Sequence, residues 1–419
     1  MKPTILLIGD DIRYPTGVAN VCKDIITNTL SEFNWIQLAS RKRHSEKGKI
    51  IDVSKSIQKM YNVDDCYVRL YCCENYGDEQ SLTNICEQEN IDAILHMTDP
   101  RFYKWLYAIE NKVRRKIPIC YYHVWDNYPT PKFNKGVYHS CDWIGCISKL
   151  THNVVQDVTQ GKVLCEYVPH GVDTNLFKKL ESDSNDFTRR GLLEGGCDFA
   201  FLCNNVNMKR KQLPTILEAF DKLSKTLPKA EADRVVLMMH TNRIGESGLD
   251  LIQMCNELYP DSNVLFSTSK LSPEMLNQMY NTFSVTINIA SNEGFGLSTL
   301  ESLASETPII CNKTGGLVDQ VNEENSWGIG IEPDISRLMG SGTTNYLYED
   351  IVSSESLASA MLTLQKTPTS ELNTMGSLGR EYVQENFNVE QMTGKIATGL
   401  KNTIDKFSPA PKYRFSKIS

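Results

Sequence analysis

The chain has 419 residues, 41% hydrophobic and 23% charged, which exceeds one ordinary core and makes two domains the natural expectation. That composition excludes wholesale disorder, and the longest apolar runs, such as Ala93 to Met97 and Val235 to Met239, are too short to cross a bilayer. The net charge of −7 argues against a protein that coats nucleic acid, although residues 1–170 carry +1 and the remainder −8.

The N-terminus runs directly into a strand-like segment without signal-peptide anatomy. Thirteen cysteines are scattered without zinc-ligand spacing. An odd, irregular set reads as reduced thiols, so the cytoplasm is the expected location.

In chain order, Thr4 to Gly9 reads as a buried strand and Asp10 to Gly17 as a loop. Val18, Val21, Ile25, Ile26 and Leu30 then recur at helical spacing. Further strands are expected at Trp35 to Ala39, Tyr67 to Cys73, Ile91 to Met97, Pro118 to Val124, Trp143 to Ile147 and Glu166 to Val168. Runs apolar on both faces that alternate with helices imply a parallel sheet covered on both sides. Lys178 to Gly196 is polar and reads as a linker. The alternation restarts with Phe199 to Cys203, an amphipathic helix opened by Pro214, Arg234 to His240, Val264 to Ser267, Val285 to Ala290 and Pro308 to Cys311. After about residue 350 only helix is expected. The fold class is therefore α/β, with two doubly wound Rossmann-like domains and a ligand cleft between them. No internal repeat or low-complexity tract stands out.

Basic residues cluster at Arg41, Lys42, Arg43, Lys47 and Lys49, and again at Lys112, Arg114, Arg115 and Lys116. They read either as solvated surface or as an acceptor face for a polyanion.

The most informative segment is Ser291 to Gly316, SNEGFGLSTLESLASETPIICNKTGG. A strand ends at Ala290, a short loop carries Glu293, Gly294, Phe295 and Gly296, and a helix begins near Leu297 with Glu301 in its second turn. Free N–H groups at a helix start favour an anion, glycines admit close backbone approach, and two carboxylates accept from hydroxyl pairs. An acidic residue that only stabilises a helix dipole would account for Glu293, but not for the glycines and the second glutamate.

Glu293 and Glu301 are separated by seven residues, and the run resembles the E-x7-E signature of retaining GT-B glycosyltransferases, particularly family four. The resemblance spans Ile5 to about Phe387. It implies that Glu293 contacts hydroxyls of the transferred sugar, that Glu301 holds the nucleotide ribose, and that backbone N–H groups from Gly294 to Leu297, Phe295 and Gly296 included, serve the sugar and diphosphate. TGVANVCKDI resembles the family's N-terminal glycine loop and implies that Gly17 lies near the diphosphate, although Thr16 stands where the family often has a second glycine. VPHGVDTNLF resembles the opening of the family's second domain, with His170 read as a hinge or packing residue. NMKRKQLPTILEAF resembles the diphosphate-binding segment: Lys211 aligns well, while the usual arginine position falls near Val206 and leaves that role to Arg210 or Lys209. In CYYHVWDNYPTPKFN, His123 matches a position near the donor sugar, and Asp126 is a candidate to orient an acceptor hydroxyl.

By this resemblance the domains are 1–175 on the acceptor side and 176–388 on the nucleotide-sugar side, with a helix from about residue 389 returning to the first. No D-x-D triplet occurs, so no metal and no separate cofactor is expected. Lys211 and its neighbours would meet the diphosphate charge, and a UDP-sugar is the expected donor. LLIGDDIRYPTGVAN, HMTDPRFYKWL and SCDWIGCISK are similar to glycosyltransferases of tailed bacteriophages. This implies 5-hydroxymethylcytosine in DNA as the acceptor and the host cytoplasm as the location, with a carbohydrate or small metabolite as the alternative acceptor. A non-catalytic sugar-nucleotide-binding module is the lower alternative. A nicotinamide oxidoreductase would want G-x-G-x-x-G after the first strand, and only one glycine is present there.

Overall fold

The computed structural model describes residues 2–181, 195–245, 248–321, 326–340 and 344–409. Most of the expected linker at 178–196 lies outside the described residues. The chain divides into two compact units. The first comprises Met1–Trp125, Thr130–His170 and Val389–Ser419, and the second Asp126–Pro129 and Gly171–Asn388.

In the first unit, β1 (Thr4–Asp10), β2 (Asn34–Arg41), β3 (Ile50–Asp52), β4 (Val68–Glu74), β5 (Ala93–Thr98), β6 (Ile119–His123), β7 (Trp143–Cys146) and β8 (Cys165–Tyr167) form one sheet in the order β3-β4-β2-β1-β5-β6-β7-β8. All pairings are parallel except that of β3, which runs antiparallel to β4. The buried β1 run and helix α1 (Gly17–Asn28) fit the expected pattern, since Val21, Cys22, Ile25 and Ile26 are the helix's buried stripe. β3 escapes the sequence pattern because it is a short edge strand with Ile50 exposed.

In the second unit, β9 (Phe199–Asn204), β10 (Val235–His240), β11 (Val264–Ser267), β12 (Val285–Asn288), β13 (Ile309–Asn312) and β14 (Gly328–Ile331) pair in parallel as β11-β10-β9-β12-β13-β14. This order reverses between β9 and β12, and ligands of such sheets bind at the carboxyl ends of the strands at that reversal. Helix α2 (Leu213–Thr226) buries Leu213, Ile216, Leu217, Phe220 and Leu223 against the sheet core. β15 (Ile335–Met339) and β16 (Leu347–Ile351) form a separate antiparallel hairpin that the apolar pattern did not reveal, because β15 is almost wholly exposed.

The helix Val389–Lys406 closes the first unit, burying Met392, Ile396, Ala397 and Leu400. Its Gly399 lies against the fully buried Trp143, whose indole donates to Glu166 at 3.1 Å. A Cβ at position 399 would sit 2.4 Å from the indole ring. Alanine is favoured over glycine in a helix by about 1 kcal/mol, but forcing a methyl into a filled core costs about 1–3 kcal/mol. Gly399→Ala should therefore lower the melting temperature, and thermal denaturation of the variant checks this.

Candidate active site

The site of the second unit is assembled from three segments at the carboxyl ends of β9, β12 and β13. After β9 the chain makes a short 3-10 turn, Lys209–Lys211, ended by Gln212 in the left-handed region (φ 51°). The Gln212 amide donates to the Ile289 carbonyl at 2.6 Å, and the Ser291 N–H donates to the Arg210 carbonyl at 2.7 Å. The basic turn is thereby pinned against the loop that follows β12.

On that loop Glu293 meets the turn. Arg210 donates to the Asn292 carbonyl at 2.9 Å and to Glu293 Oε2 at 3.0 Å, while Lys211 forms an ion pair with the same oxygen. Lys211 and Glu293 are nearly enclosed, with side chains 9% and 12% exposed. Burial works to raise the Glu293 pKa, but Lys211 and Arg210 outweigh it and bring it down to about 2. Burial also presses against both cations. It lowers the Lys211 pKa below its usual value, whereas Arg210 is kept charged by Glu293 and Asp126. Two carboxylates and two cations thus compensate one another, the condition under which charges survive away from water. Lys209, on the same turn, is exposed.

Helix α4 (Leu297–Ala304) starts at Gly296, which has φ +96° and makes no side-chain cap bond. Phe295 is buried, and the carbonyls of Phe295 and Gly296 accept from the Gln320 amide at 2.8 and 3.0 Å. Glu301, one turn into α4, accepts from the Tyr280 hydroxyl at 2.7 Å.

Asp126 reaches this cluster although the sequence reading placed 126–129 in the first domain. The cause is Asn127: its amide nitrogen lies 2.6 Å from Asp350 Oδ2, 3.0 Å from Thr314 Oγ1 and 3.1 Å from the Tyr348 carbonyl. The Tyr348 N–H donates to the Tyr128 carbonyl at 2.7 Å, and the Asp350 N–H to the Ser291 carbonyl at 2.8 Å. The β15–β16 hairpin therefore holds Asp126–Pro129 in the second unit. Gly315 (φ +53°) completes the contact, for a Cβ there would lie 2.1 Å from the Glu293 carbonyl and 2.3 Å from that of Asp126. Asn127, Tyr280 and Asp350 were not singled out from the sequence, and Thr314 and Gly315 were given no role within the Ser291–Gly316 segment. Only the TGG run after β13 offered a signal, as a glycine pair at a strand end.

The other expected residues, His123 and Gly17, lie in the first unit. His123 has no exposed surface. Its Nε2 bonds the Tyr138 hydroxyl at 2.8 Å, it packs on Tyr121, and burial lowers its pKa to about 3. Gly17 is exposed as the first residue of α1, where Thr16 already caps the Ala19 N–H at 3.0 Å. His170 accepts or donates at the Tyr122 hydroxyl (2.9 Å) and is buried, as a packing residue would be.

Much of the charge in the expected basic face is spent internally. Lys47 pairs with Glu74 (2.8 Å), Lys112 with Glu79 (2.7 Å) and Arg114 with Asp142 (2.7 Å), while Arg41 stacks over Tyr14. Nearby, Asp11, His44 and Cys72 hold metal-ligand atoms within 4.8 Å of one another. The Glu46 N–H donates to His44 Nδ1 (3.1 Å), which leaves the proton on Nε2, aimed at Asp11 Oδ2 (3.0 Å). Arg13 covers both Asp11 oxygens at 2.6 and 3.0 Å. The cluster is a loop clamp whose lone pairs are already taken.

Residues 188–338 match the family model described as Glycosyl transferases group 1, a span that includes Lys211, Glu293 and Glu301. Over 149 residues the chain is 29% identical to the alpha-1,3/1,6-mannosyltransferase of Mus musculus, covering 34% of this chain and 35% of that protein. It is 25% identical over 182 residues to the alpha-monoglucosyldiacylglycerol synthase of Streptococcus pneumoniae, covering 42% and 39%. The matches thus span little more than a third of these relatives. Among solved structures, the sucrose-phosphate synthase of Thermosynechococcus elongatus superposes with a TM-score of 0.72 at 15% identity, covering 97% of this chain and all of that one. HepE of Anabaena, solved with UDP and glucose, gives 0.67 at 16% identity, covering 96% and 100%.

Two predictions follow from the ion-paired cluster. A carboxyl whose folded pKa is depressed adds stability above its unfolded value and loses it as pH falls through the folded one. The stability advantage of wild type over Glu293→Gln should be full above about pH 4.5 and vanish toward pH 2. At neutral pH it should be about 3–5 kcal/mol, the cost of leaving a buried partner unpaired; urea titrations at stepped pH measure it. Gly315→Ala meets backbone atoms on two sides and should lower the melting temperature in thermal denaturation while far-UV circular dichroism at about 20 °C stays native. The chain has the GT-B fold, with two Rossmann-like units, and residues 188–338 of its second unit match the glycosyl transferases group 1 model.

Proposed function

We propose that the chain is a retaining glycosyltransferase that moves a sugar from a nucleoside diphosphate, UDP first among the candidates, to an acceptor hydroxyl. The observation that carries this reading is the sharing of Glu293 by Lys211 and Arg210 at the strand-order reversal of the second unit. HepE, with the same fold, was solved with UDP and with UDP-glucose.

In this reading Arg210 and Lys211 turn their charge to the diphosphate, assisted by the uncapped start of α4. Glu293 then accepts from sugar hydroxyls and Glu301 from the ribose. The acceptor oxygen bonds to the anomeric carbon as the bond to phosphate breaks on the same face. The acceptor proton passes to the departing phosphate oxygen, and the nucleoside diphosphate leaves. Lys211 and Arg210 supply the charge this requires without a metal or a separate cofactor. Gly17 is assigned to the diphosphate end of the donor, His123 to donor or acceptor positioning, and Asp126 to the orientation of the acceptor hydroxyl.

For the acceptor, 5-hydroxymethylcytosine in phage DNA, modified in the host cytoplasm, rests on the Arg41–Arg43 face. The ion pairs that neutralise Lys47, Lys112 and Arg114 favour a carbohydrate or small metabolite instead.

The test incubates purified protein with UDP-, GDP- and ADP-sugars, with and without hydroxymethylcytosine duplex DNA, and reads released nucleotide and modified nucleosides by mass spectrometry. A sugar-sized mass gain on the cytosine settles donor and acceptor together. Release from one donor regardless of DNA supports transfer to a smaller acceptor. Binding without release from any donor would leave a non-catalytic module. Glu301→Ala should weaken nucleotide affinity by about ten-fold or more, the worth of a charged hydrogen bond. Glu293→Gln should cut turnover by about 10²–10³ while the affinity changes less.

A further inference from the structure

The Glu301 carboxylate is held from behind by a directed hydrogen-bond chain. Tyr280, in helix α3 (Pro273–Thr282), donates its hydroxyl to Glu301 Oε2 at 2.7 Å. Asn204, the last residue of β9, donates its side-chain amide to the same phenol oxygen at 2.8 Å. An amide nitrogen only donates and an ionised carboxylate only accepts, so the phenol proton points to Glu301. Burial, reinforced by the Glu301 charge, holds the Tyr280 hydroxyl well above its ordinary pKa, so it stays a donor. The ring cannot turn away: Tyr280 is fully buried, Phe177 packs edge-on against it, and its carbonyl accepts from Thr307 Oγ1 at 2.8 Å.

The last torsion of a glutamate is broad and soft. A charge-assisted hydrogen bond to one oxygen fixes it, and that sets how a carboxylate meets two vicinal hydroxyls at once. We propose that Tyr280, aimed by Asn204, is a positioning residue that fixes the Glu301 carboxylate and so makes the donor site discriminate ribonucleotides from 2′-deoxyribonucleotides. This rests on the assignment of Glu301 to the ribose. A polar site built for a hydroxyl rejects the analogue lacking it, because its own group is left unpaired. A carboxylate free to rotate still follows a single hydroxyl and loses most of that discrimination.

The experiment is isothermal titration of the full chain with UDP and with 2′-deoxy-UDP. Wild type should prefer UDP by about ten-fold or more. Tyr280→Phe should bring the preference within about three-fold, mainly by weakening UDP, while 2′-deoxy-UDP affinity stays within about two-fold. In Glu301→Ala the preference should be lost, and adding Tyr280→Phe should change nothing further, since the tyrosine acts through the glutamate. If Tyr280→Phe does not fold, Asn204→Ala, which keeps the phenol but removes the group that aims it, should lower the preference in the same way. A Tyr280→Phe protein that keeps the full preference, or weakens both ligands equally, overturns the proposal. Wild type that binds UDP without preference overturns it while sparing the nucleotide site. Wild type that binds neither overturns the nucleotide reading, and the proposal with it.

Discussion

Glu293, Lys211 and Arg210 occupy one small volume at the ends of β9 and β12, where Glu293 and Lys211 are nearly out of water and Arg210 is half-buried beside them, and the enclosed charges are tolerable there because they compensate one another. Their compensation sets demands on the backbone around them. The 3-10 turn must present two cations side by side, which the left-handed Gln212 and its amide bond to Ile289 allow. The loop after β12 must bring Glu293 back to that turn, which the Ser291-to-Arg210 backbone bond secures. The β13 loop must come close enough to seal the other side, which only a residue without a Cβ at position 315 permits. A buried ion pair is a weak source of net stability compared with an apolar core, so its presence at the strand-order reversal points to chemistry.

The second constraint is the docking of Asp126–Pro129. One buried amide, Asn127, meets Thr314, Asp350 and Tyr348, drawn from β13's following loop and from β16. The Asp350 carboxylate is itself shared, accepting from Thr314 at 2.7 Å as well. Polar networks of this kind specify one arrangement when every member is satisfied. Here they bring a segment from the first third of the chain, Asp126 included, to the Lys211–Glu293 cluster.

The strands that carry two buried faces, β1, β2, β4, β9, β10, β12 and β13, were legible because a period-free apolar run has few other readings between turn signals. So was the E-x7-E helix start: the glycines before Leu297 and the glutamates seven residues apart lie within one local segment. The edge elements were not legible. β3, β14 and β15 are short or exposed, and their pairing comes from neighbours rather than from their own side chains. A histidine at a strand end has the same local pattern whether it faces a ligand or a stack of tyrosines.

By itself the sequence determined the α/β alternation, the position of the phosphate-type helix start at Gly296 and the residue types on either side of it, because these depend on hydrophobic period and on backbone geometry within a few residues. Tertiary structure alone decided which charges meet, with Glu293 paired to Lys211 and Arg210, Asp126 moved to the second unit, Tyr280 set behind Glu301, and Lys47 and Arg114 of the basic clusters paired with Glu74 and Asp142. The partners in these contacts lie from about twenty to more than two hundred positions apart. The energy of a charge or a hydrogen bond depends on burial and distance in space, which no local pattern encodes.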